Sequence, residues 1–143
     1  MNSLVNNLWR SYQETEFFFT QALSPHLSFA IITAHNPKGI LLSSSQNRLL
    51  DKKLQSEIAY LARPYRALMG GSADLCYMEK SWAIAVDRKT GIELGVKFNQ
   101  NAIYYVEADK LMLIPCLFQK QAISLGSFSK KVTLVSELPE LNE

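Results

Sequence analysis

The chain has 143 residues, of which 48% are hydrophobic and 20% charged, which is the size and composition of one globular domain spanning 1–143. A disordered chain and a multidomain assembly are excluded on these grounds. The 15 basic and 13 acidic residues give a net charge of +2, which indicates no nucleic-acid partner. No apolar run approaches the ~20 residues of a membrane span, so we expect no membrane association.

The first predicted elements are a helix and two strands. Apolar residues recur every three or four positions over 3–13, which predicts an amphipathic helix. The aromatic run over 16–22 predicts a strand, and 29–34 is apolar on both faces, as in a strand from the middle of a sheet. Asparagine, proline and glycine at the first, second and fourth positions of 36–39 then predict a type I turn.

A second helix follows the serine-rich segment 43–45. The serines offer caps for a helix over 45–62. The apolar spacing puts Asn47 on the stripe that faces the core and Asp51 on the face directed at water.

Two further strands are predicted in the middle of the chain. The first is a short strand over 66–69, followed by Gly70-Gly71, which we interpret as a loop. The second covers 80–86 and carries small side chains such as Ser81 and Ala83 on one face. That face leaves room for a helix.

The pattern over 88–98 is ambiguous between helix and strand. Apolar residues alternate there as in a strand, but capping residues at both ends favour a helix. The segments 102–107 and 110–117 predict a hairpin, whereas 131–135, like 66–69, is a short candidate strand that the pattern leaves open, before an acidic, frayed tail over 137–143. We therefore predict an α+β fold, with a single-layer, mixed and mostly antiparallel sheet of five or six strands and about three helices packed on it.

Four short pieces of sequence suggest a family. They are Thr33-Ala34-His35-Asn36-Pro37, Asn47 in a helix, Glu79 before a strand, and Phe98-Asn99-Gln100-Asn101-Ala102. In this order they resemble a bacterial family known as domain of unknown function 3293, over about 9–117. His35 stands where the family has an aromatic residue, and Asn99 where it has glycine. The resemblance implies a cytoplasmic bacterial protein and brings no activity, cofactor or partner.

The cysteines and histidines offer no metal site. Cys76 and Cys116 lie beside bulky apolar residues, which predicts reduced core thiols in a cytoplasmic protein. Two isolated histidines and two distant cysteines lack the spacing of a ligand set, so we predict no metal and no cofactor. The oligomeric state stays open.

One group of polar residues forms the candidate site. Thr33 and Asn36 end the inner strand, and Asn47 lies in the first turn of the next helix, so Asn36 and Asn47 can meet. If Glu79 and Gln100 reach the same end of the sheet, all five side chains line an amide-rich pocket. The alternative is that Asn36, Asn47 and Gln100 only close loops.

Two functions of different classes follow from this group. The first is a non-enzymatic binding module that recognises a small polar ligand or a protein partner through these five residues. The second is a small hydrolase or transferase that uses Glu79, with His35 as a general base, on a nucleotide-like substrate. A third interpretation is an interaction protein whose acidic tail or sheet edge engages another chain.

Overall fold

The computed structural model describes residues 3–139 and confirms the α+β class. Its three helices are α1 Ser3–Gln13, α2 Ser44–Tyr60 and α3 Arg88–Lys97. Its strands are β1 Glu16–Phe19, β2 Ser28–Ile32, β3 Tyr65–Gly71, β4 Met78–Ile84, β5 Ala102–Glu107, β6 Lys110–Pro115, β7 Ile123–Ser127 and β8 Val132–Leu134. Short 3-10 turns cover Pro37–Gly39 and Phe128–Lys131.

All eight strands belong to one mixed sheet with the order β7-β6-β5-β2-β4-β3-β1-β8. Neighbouring strands are antiparallel, apart from the parallel pair of β1 with β8. The prediction of five or six strands was wrong, because β7 was missed and the short segments now seen as β3 and β8 are true strands. The sequence of β7, Ile-Ser-Leu-Gly-Ser, alternates as a strand does, but with only two apolar residues and a glycine its signal is weak. Strand β2 lies between β4 and β5, which confirms the prediction of an inner strand.

The sheet curls so that one of its faces becomes an interior. The ring of Phe17 on β1 lies edge-on to that of Tyr104 on β5, with 5.0 Å between centroids, although three strands separate them in the sheet order. Phe128 from the turn before β8 fills the space between Phe17 and Phe29. Helix α1 lies over this inner face, where Tyr104 donates a hydrogen bond to the backbone carbonyl of Tyr12.

The outer face of the sheet carries α2 and α3. Leu54 and Ile58 of α2 and Leu94 of α3 pack on Trp82 of β4 and its neighbours. The small side chains of Ser81 and Ala83 on β4 lie on the opposite, inner face, which is the face that α1 covers. On the outer face the close approach comes from α3, whose Gly95 leaves no space for a Cβ beside Ile103 and Cys116.

Helix α2 begins after a capping box, in which Ser43 and Gln46 bond each other's backbone amides. The prediction that Asp51 faces water was wrong, since its side chain is buried. Its carboxylate accepts a hydrogen bond from Nε1 of Trp82 at 2.8 Å and lies 2.9 Å from Nζ of Lys80. Helical periodicity cannot reveal partners that come from another strand.

Residues with positive φ lie in the turns that connect the elements. Lys38 has φ 58° and the amide of Gly39 donates to the carbonyl of Asn36, so the predicted type I turn is a type II turn. Residues 88–98 form the predicted helix, with Asn99 beyond it at φ 56°. The predicted β5–β6 hairpin turns at Ala108 and Asp109, both with positive φ.

The glycine pair and one of the two cysteines lie in surroundings other than those predicted. Gly70 and Gly71 belong to β3, so their interpretation as a loop was wrong. Cys76 is exposed rather than in the core, whereas Cys116 is half-buried and burial raises its pKa to about 11. Residues 140–143 of the predicted tail lie outside the described residues. None of the helices within 3–139 is long and apolar enough to cross a membrane.

Candidate functional site

A cavity of about 470 Å³ opens between α1 and the inner face of the sheet. Its apolar lining includes Leu8, Phe17, Ile31 and Leu113, from α1, β1, β2 and β6. The lining also contains polar and tyrosine side chains: Tyr12, Thr33, His35, Asn36, Tyr77, Glu79, Ser81, Gln100 and Tyr104. Four of the five predicted site residues therefore line one cavity.

Glu79 on β4 is the half-buried acidic group of this cavity; the other carboxyl side chain that lines it, Glu14, is exposed. Oε2 of Glu79 accepts hydrogen bonds from Nδ2 of Asn36 at 2.8 Å and from the hydroxyl of Tyr77 at 2.6 Å. Its Oε1 accepts no hydrogen bond from the described residues. Every fully buried side-chain oxygen in that part of the chain has a hydrogen-bond partner. Because Oε1 has none, it is not fully buried and is open to the cavity. Burial raises the pKa of Glu79 above its ordinary range, and the two hydrogen bonds oppose that effect.

Asn36 holds Glu79 and is itself held by Asn47. Asn36 has a left-handed backbone with φ 49°, and its Oδ1 accepts from the amide of Leu42 and from Nδ2 of Asn47, both at 3.0 Å. Oδ1 of Asn47 in turn accepts from the amide of Asn36 at 2.8 Å. The structure brings these two residues together as expected. Asn47 lies behind the cavity wall and positions Asn36.

Thr33 and Gln100 stabilise the backbone at the end of β2. The Thr33 hydroxyl donates to the carbonyl of Lys80 at 2.7 Å and accepts from the amide of His35 at 3.0 Å. Nε2 of Gln100 donates to the carbonyls of His35 at 3.2 Å and Phe98 at 3.3 Å. Both residues therefore close the loop, which the alternative interpretation predicted for Gln100 but not for Thr33. The side-chain oxygen of Gln100 makes no hydrogen bond to a described residue and stays available as an acceptor.

His35 is buried in the cavity wall, and burial lowers its pKa, so its imidazole is neutral at physiological pH. The charged groups that act on it are Asp51 and Lys80. No hydrogen bond within 3–139 joins it to Glu79, whose partners are Asn36 and Tyr77. The structure does not assemble the acid–base pair of His35 and Glu79.

Three tyrosines complete the site and were missed by the sequence analysis. The hydroxyl of Tyr12 accepts from Nδ2 of Asn101 at 3.1 Å, and that of Tyr104, which donates to the carbonyl of Tyr12, accepts from the hydroxyl of Thr15 at 2.8 Å. Burial raises the pKa of Tyr12, Tyr77 and Tyr104, and the negative charge of Glu79 adds to each shift. All three therefore stay protonated near neutral pH. Tyr12 belongs to the apolar stripe of α1, and a helical stripe alone does not distinguish a site residue from a core residue.

Metal coordination finds no support in the side chains. Within residues 3–139, no three histidine, cysteine, aspartate or glutamate side chains come close enough to hold an ion.

Comparison with known proteins identifies one family. A family model described as protein of unknown function (DUF3293) matches residues 32–103, a span that contains all five predicted site residues. No curated protein matches the chain, and no solved structure does.

Proposed function

Because the chain belongs to the DUF3293 family, whose description states no function, we propose from the cavity itself that this protein is a non-enzymatic binding module for a small polar ligand. One observation carries the proposal: a carboxyl group inside a cavity has one oxygen fixed by two hydrogen bonds and the other oxygen open. A group fixed in this way loses little freedom when a ligand binds.

The size and lining of the cavity suit this role. Its volume of about 470 Å³ lies within the range of small-molecule sites. A lining that combines apolar side chains with a few oriented polar groups is typical of such sites. Oε1 of Glu79, the side-chain oxygen of Gln100 and the hydroxyl of Tyr12 are the groups that would orient a ligand.

Catalysis by Glu79 is the second candidate function. A carboxyl group whose pKa is raised by burial, and which faces a cavity, suits general acid–base chemistry. The proposed nucleotide-like substrate is less favoured, because no lysine or arginine of the described residues lines the cavity to pair with a phosphate. A hydrolase or transferase acting here would instead take a substrate without a phosphate group.

A protein partner is the other form of the binding hypothesis. Leu41 and Tyr77 line the cavity and expose 76% and 48% of their surfaces, so a partner segment could contact them. We also propose that the protein is bacterial and cytoplasmic, as the resemblance implies. The unpaired thiols of Cys76 and Cys116 agree with a reducing compartment.

A thermal-shift screen of metabolites of all charge types tests the proposal. A ligand at ~100 times its dissociation constant raises the stability by about 2.7 kcal/mol, which is readily measured. We expect hits with wild type, a reduced shift with Glu79→Gln, and an unchanged shift with the control Glu57→Gln, which alters an exposed ion pair on another surface. A screen without hits would contradict a small ligand and favour a protein partner.

The same hits separate binding from catalysis. Each is incubated with wild type, and the products are analysed by mass spectrometry. A binding module leaves the ligand intact. Turnover that disappears in Glu79→Gln while binding remains would instead establish the enzyme, and turnover that persists in this variant would eliminate Glu79 as its catalytic group.

A further inference from the structure

The charges in the cavity wall indicate which ligands it admits. The carboxyl side chains that line it are Glu14 and Glu79, and neither lysine nor arginine does so within 3–139, although the whole chain carries a net charge of +2. Lys80, the neighbour of Glu79 in sequence, points to the other face of the sheet and pairs with Asp51 at 2.9 Å. His35 is neutral and adds no positive charge. The wall therefore repels anions and attracts cations.

Aromatic rings from separate elements share this cavity. They are Tyr12 of α1, Phe17 of β1, Tyr104 of β5 and Tyr77 just before β4. The charge of Glu79 acts on all three tyrosines, so their hydroxyl ends lie within electrostatic range of its carboxyl group. Aromatic rings attract organic cations through their electron-rich faces, most strongly where water is excluded.

We propose that the cavity binds an organic cation, a protonated amine on an apolar body, with Oε1 of Glu79 as its counter-ion. The inference rests on the proposed ligand-binding function and adds the chemical class of the ligand. The ammonium group meets Glu79 among the rings of Tyr12, Tyr77 and Tyr104. The apolar body lies against the wall that includes Phe17 and Leu113.

The desolvation of Glu79 gives the ligand its selectivity. Inside the cavity no cationic side chain of the described residues compensates the carboxylate. A bound ammonium supplies the missing positive charge, which a neutral molecule of the same shape does not. A carboxylate or phosphate would add a second negative charge beside Glu79.

The test uses three probes of one shape and different charge: phenethylamine, 2-phenylethanol and phenylacetate. Isothermal titration at neutral pH is expected to show the amine binding at least about tenfold more tightly than the alcohol, a difference of ~1.4 kcal/mol, and phenylacetate binding most weakly. Glu79→Gln should remove the preference for the amine and leave the alcohol unchanged. The control Glu107→Gln changes an exposed carboxylate outside the cavity and should behave as wild type.

Each contrary result overturns the inference. It fails if the alcohol binds as tightly as the amine, if Glu79→Gln keeps the preference for the amine, or if the amine does not bind at millimolar concentration. If the alcohol binds as tightly as the amine, or if only neutral metabolites bind in the thermal-shift screen, the ligand-binding function stands but the ligand is not a cation. If no compound of any charge binds, both fall. The charge series on wild type decides the question even if a variant does not fold.

Discussion

Asn36 is the residue on which the geometry of the site depends. It adopts a left-handed backbone, donates to Glu79 through Nδ2, and accepts two hydrogen bonds through Oδ1. Asparagine is one of the few non-glycine residues that adopt this conformation readily, and its side chain supplies both a donor and an acceptor. Aspartate has a similar shape but lacks the donor.

The substitution Asn36→Asp tests this dependence. It replaces the donor that lies 2.8 Å from Oε2 of Glu79 by a second carboxylate oxygen, so we expect a loss of about 1–3 kcal/mol in the free energy of unfolding at neutral pH. Acidification should recover part of the loss, because a proton shared between the two carboxyl groups restores a hydrogen bond. Urea unfolding at neutral and mildly acidic pH measures both effects.

Asn99→Asp is the matched control for this prediction. Asn99 has the same left-handed backbone, with φ 56°, but its side chain is exposed. Its replacement should change stability by less than about 0.5 kcal/mol. Equal losses in the two variants would show that backbone conformation, and not the bond to Glu79, explains the effect.

At the scale of elements, the hairpin of β3 and β4 builds the site. Alternation along β4 directs Glu79 and Ser81 to the cavity and Lys80 and Trp82 to the helices. Gly70 on β3 lies directly opposite Glu79 in the register, and directly opposite residues share a face. The absent side chain at Gly70 therefore leaves the carboxyl group accessible.

The glycine pair of β3 gives a prediction with its own control. A Cβ at Gly70 would lie 3.6 Å from Cγ2 of Thr15 and 3.7 Å from Oγ of Ser81, which is ordinary contact. Gly70→Ala should therefore keep the fold, with a gain of up to about 0.4–1 kcal/mol from the restricted unfolded chain. Its methyl group would occupy cavity space beside Thr15 and Ser81, on the same sheet face as Glu79, and should weaken the binding of phenethylamine.

Gly71→Ala should behave in the opposite way. Its Cβ would lie 2.1 Å from the backbone carbonyl oxygen of Tyr77, so the hairpin must distort, at a cost of about 1–3 kcal/mol. Urea unfolding compares the two alanine variants with wild type. Equal stability of Gly71→Ala and wild type, or undiminished amine binding by Gly70→Ala, would contradict this account.

The elements that could be predicted are those with a strong local signal. The apolar run of β2, the serine cap of α2 and the left-handed position at Asn99 were all predicted from the sequence. Glycines remove the alternation that marks a strand, which is why the end of β3 was interpreted as a loop. Within the site, Asn36 and Asn47 could be placed together because one short connection joins them. Tyr12 could not be placed in the site, because its hydrogen-bond partner Asn101 lies 89 residues away in the sequence.

At the scale of the whole molecule, the curled sheet and α1 enclose Glu79 and thereby link its charge to stability. Its folded pKa is raised above the ordinary value of 4.5, so the folded protein retains this proton to a higher pH than the unfolded chain. The stabilising contribution is complete below the unfolded pKa and is lost as pH rises through the folded pKa. The nearby tyrosines Tyr12, Tyr77 and Tyr104 remain protonated throughout this window.

Unfolding in urea between mildly acidic and neutral pH tests this linkage. Wild type should lose stability relative to Glu79→Gln as pH rises, because glutamine carries no charge to desolvate. The lowered pKa of His35 has the opposite effect on stability, but it is common to both proteins and cancels in their difference. A difference that is constant with pH, or that grows in favour of wild type, would show that Glu79 is not held as described.

The parallel pairing of β1 with β8 joins Phe17–Phe19 to Val132–Leu134. During synthesis on a ribosome, β1 emerges early and lacks this neighbour until nearly all of the described chain has been made. Phe128, against which Phe17 and Phe19 pack, is added just before β8. The nascent polypeptide therefore exposes part of its aromatic interior until β8 has been made, and during that interval we expect chaperones that bind apolar segments to recognise it.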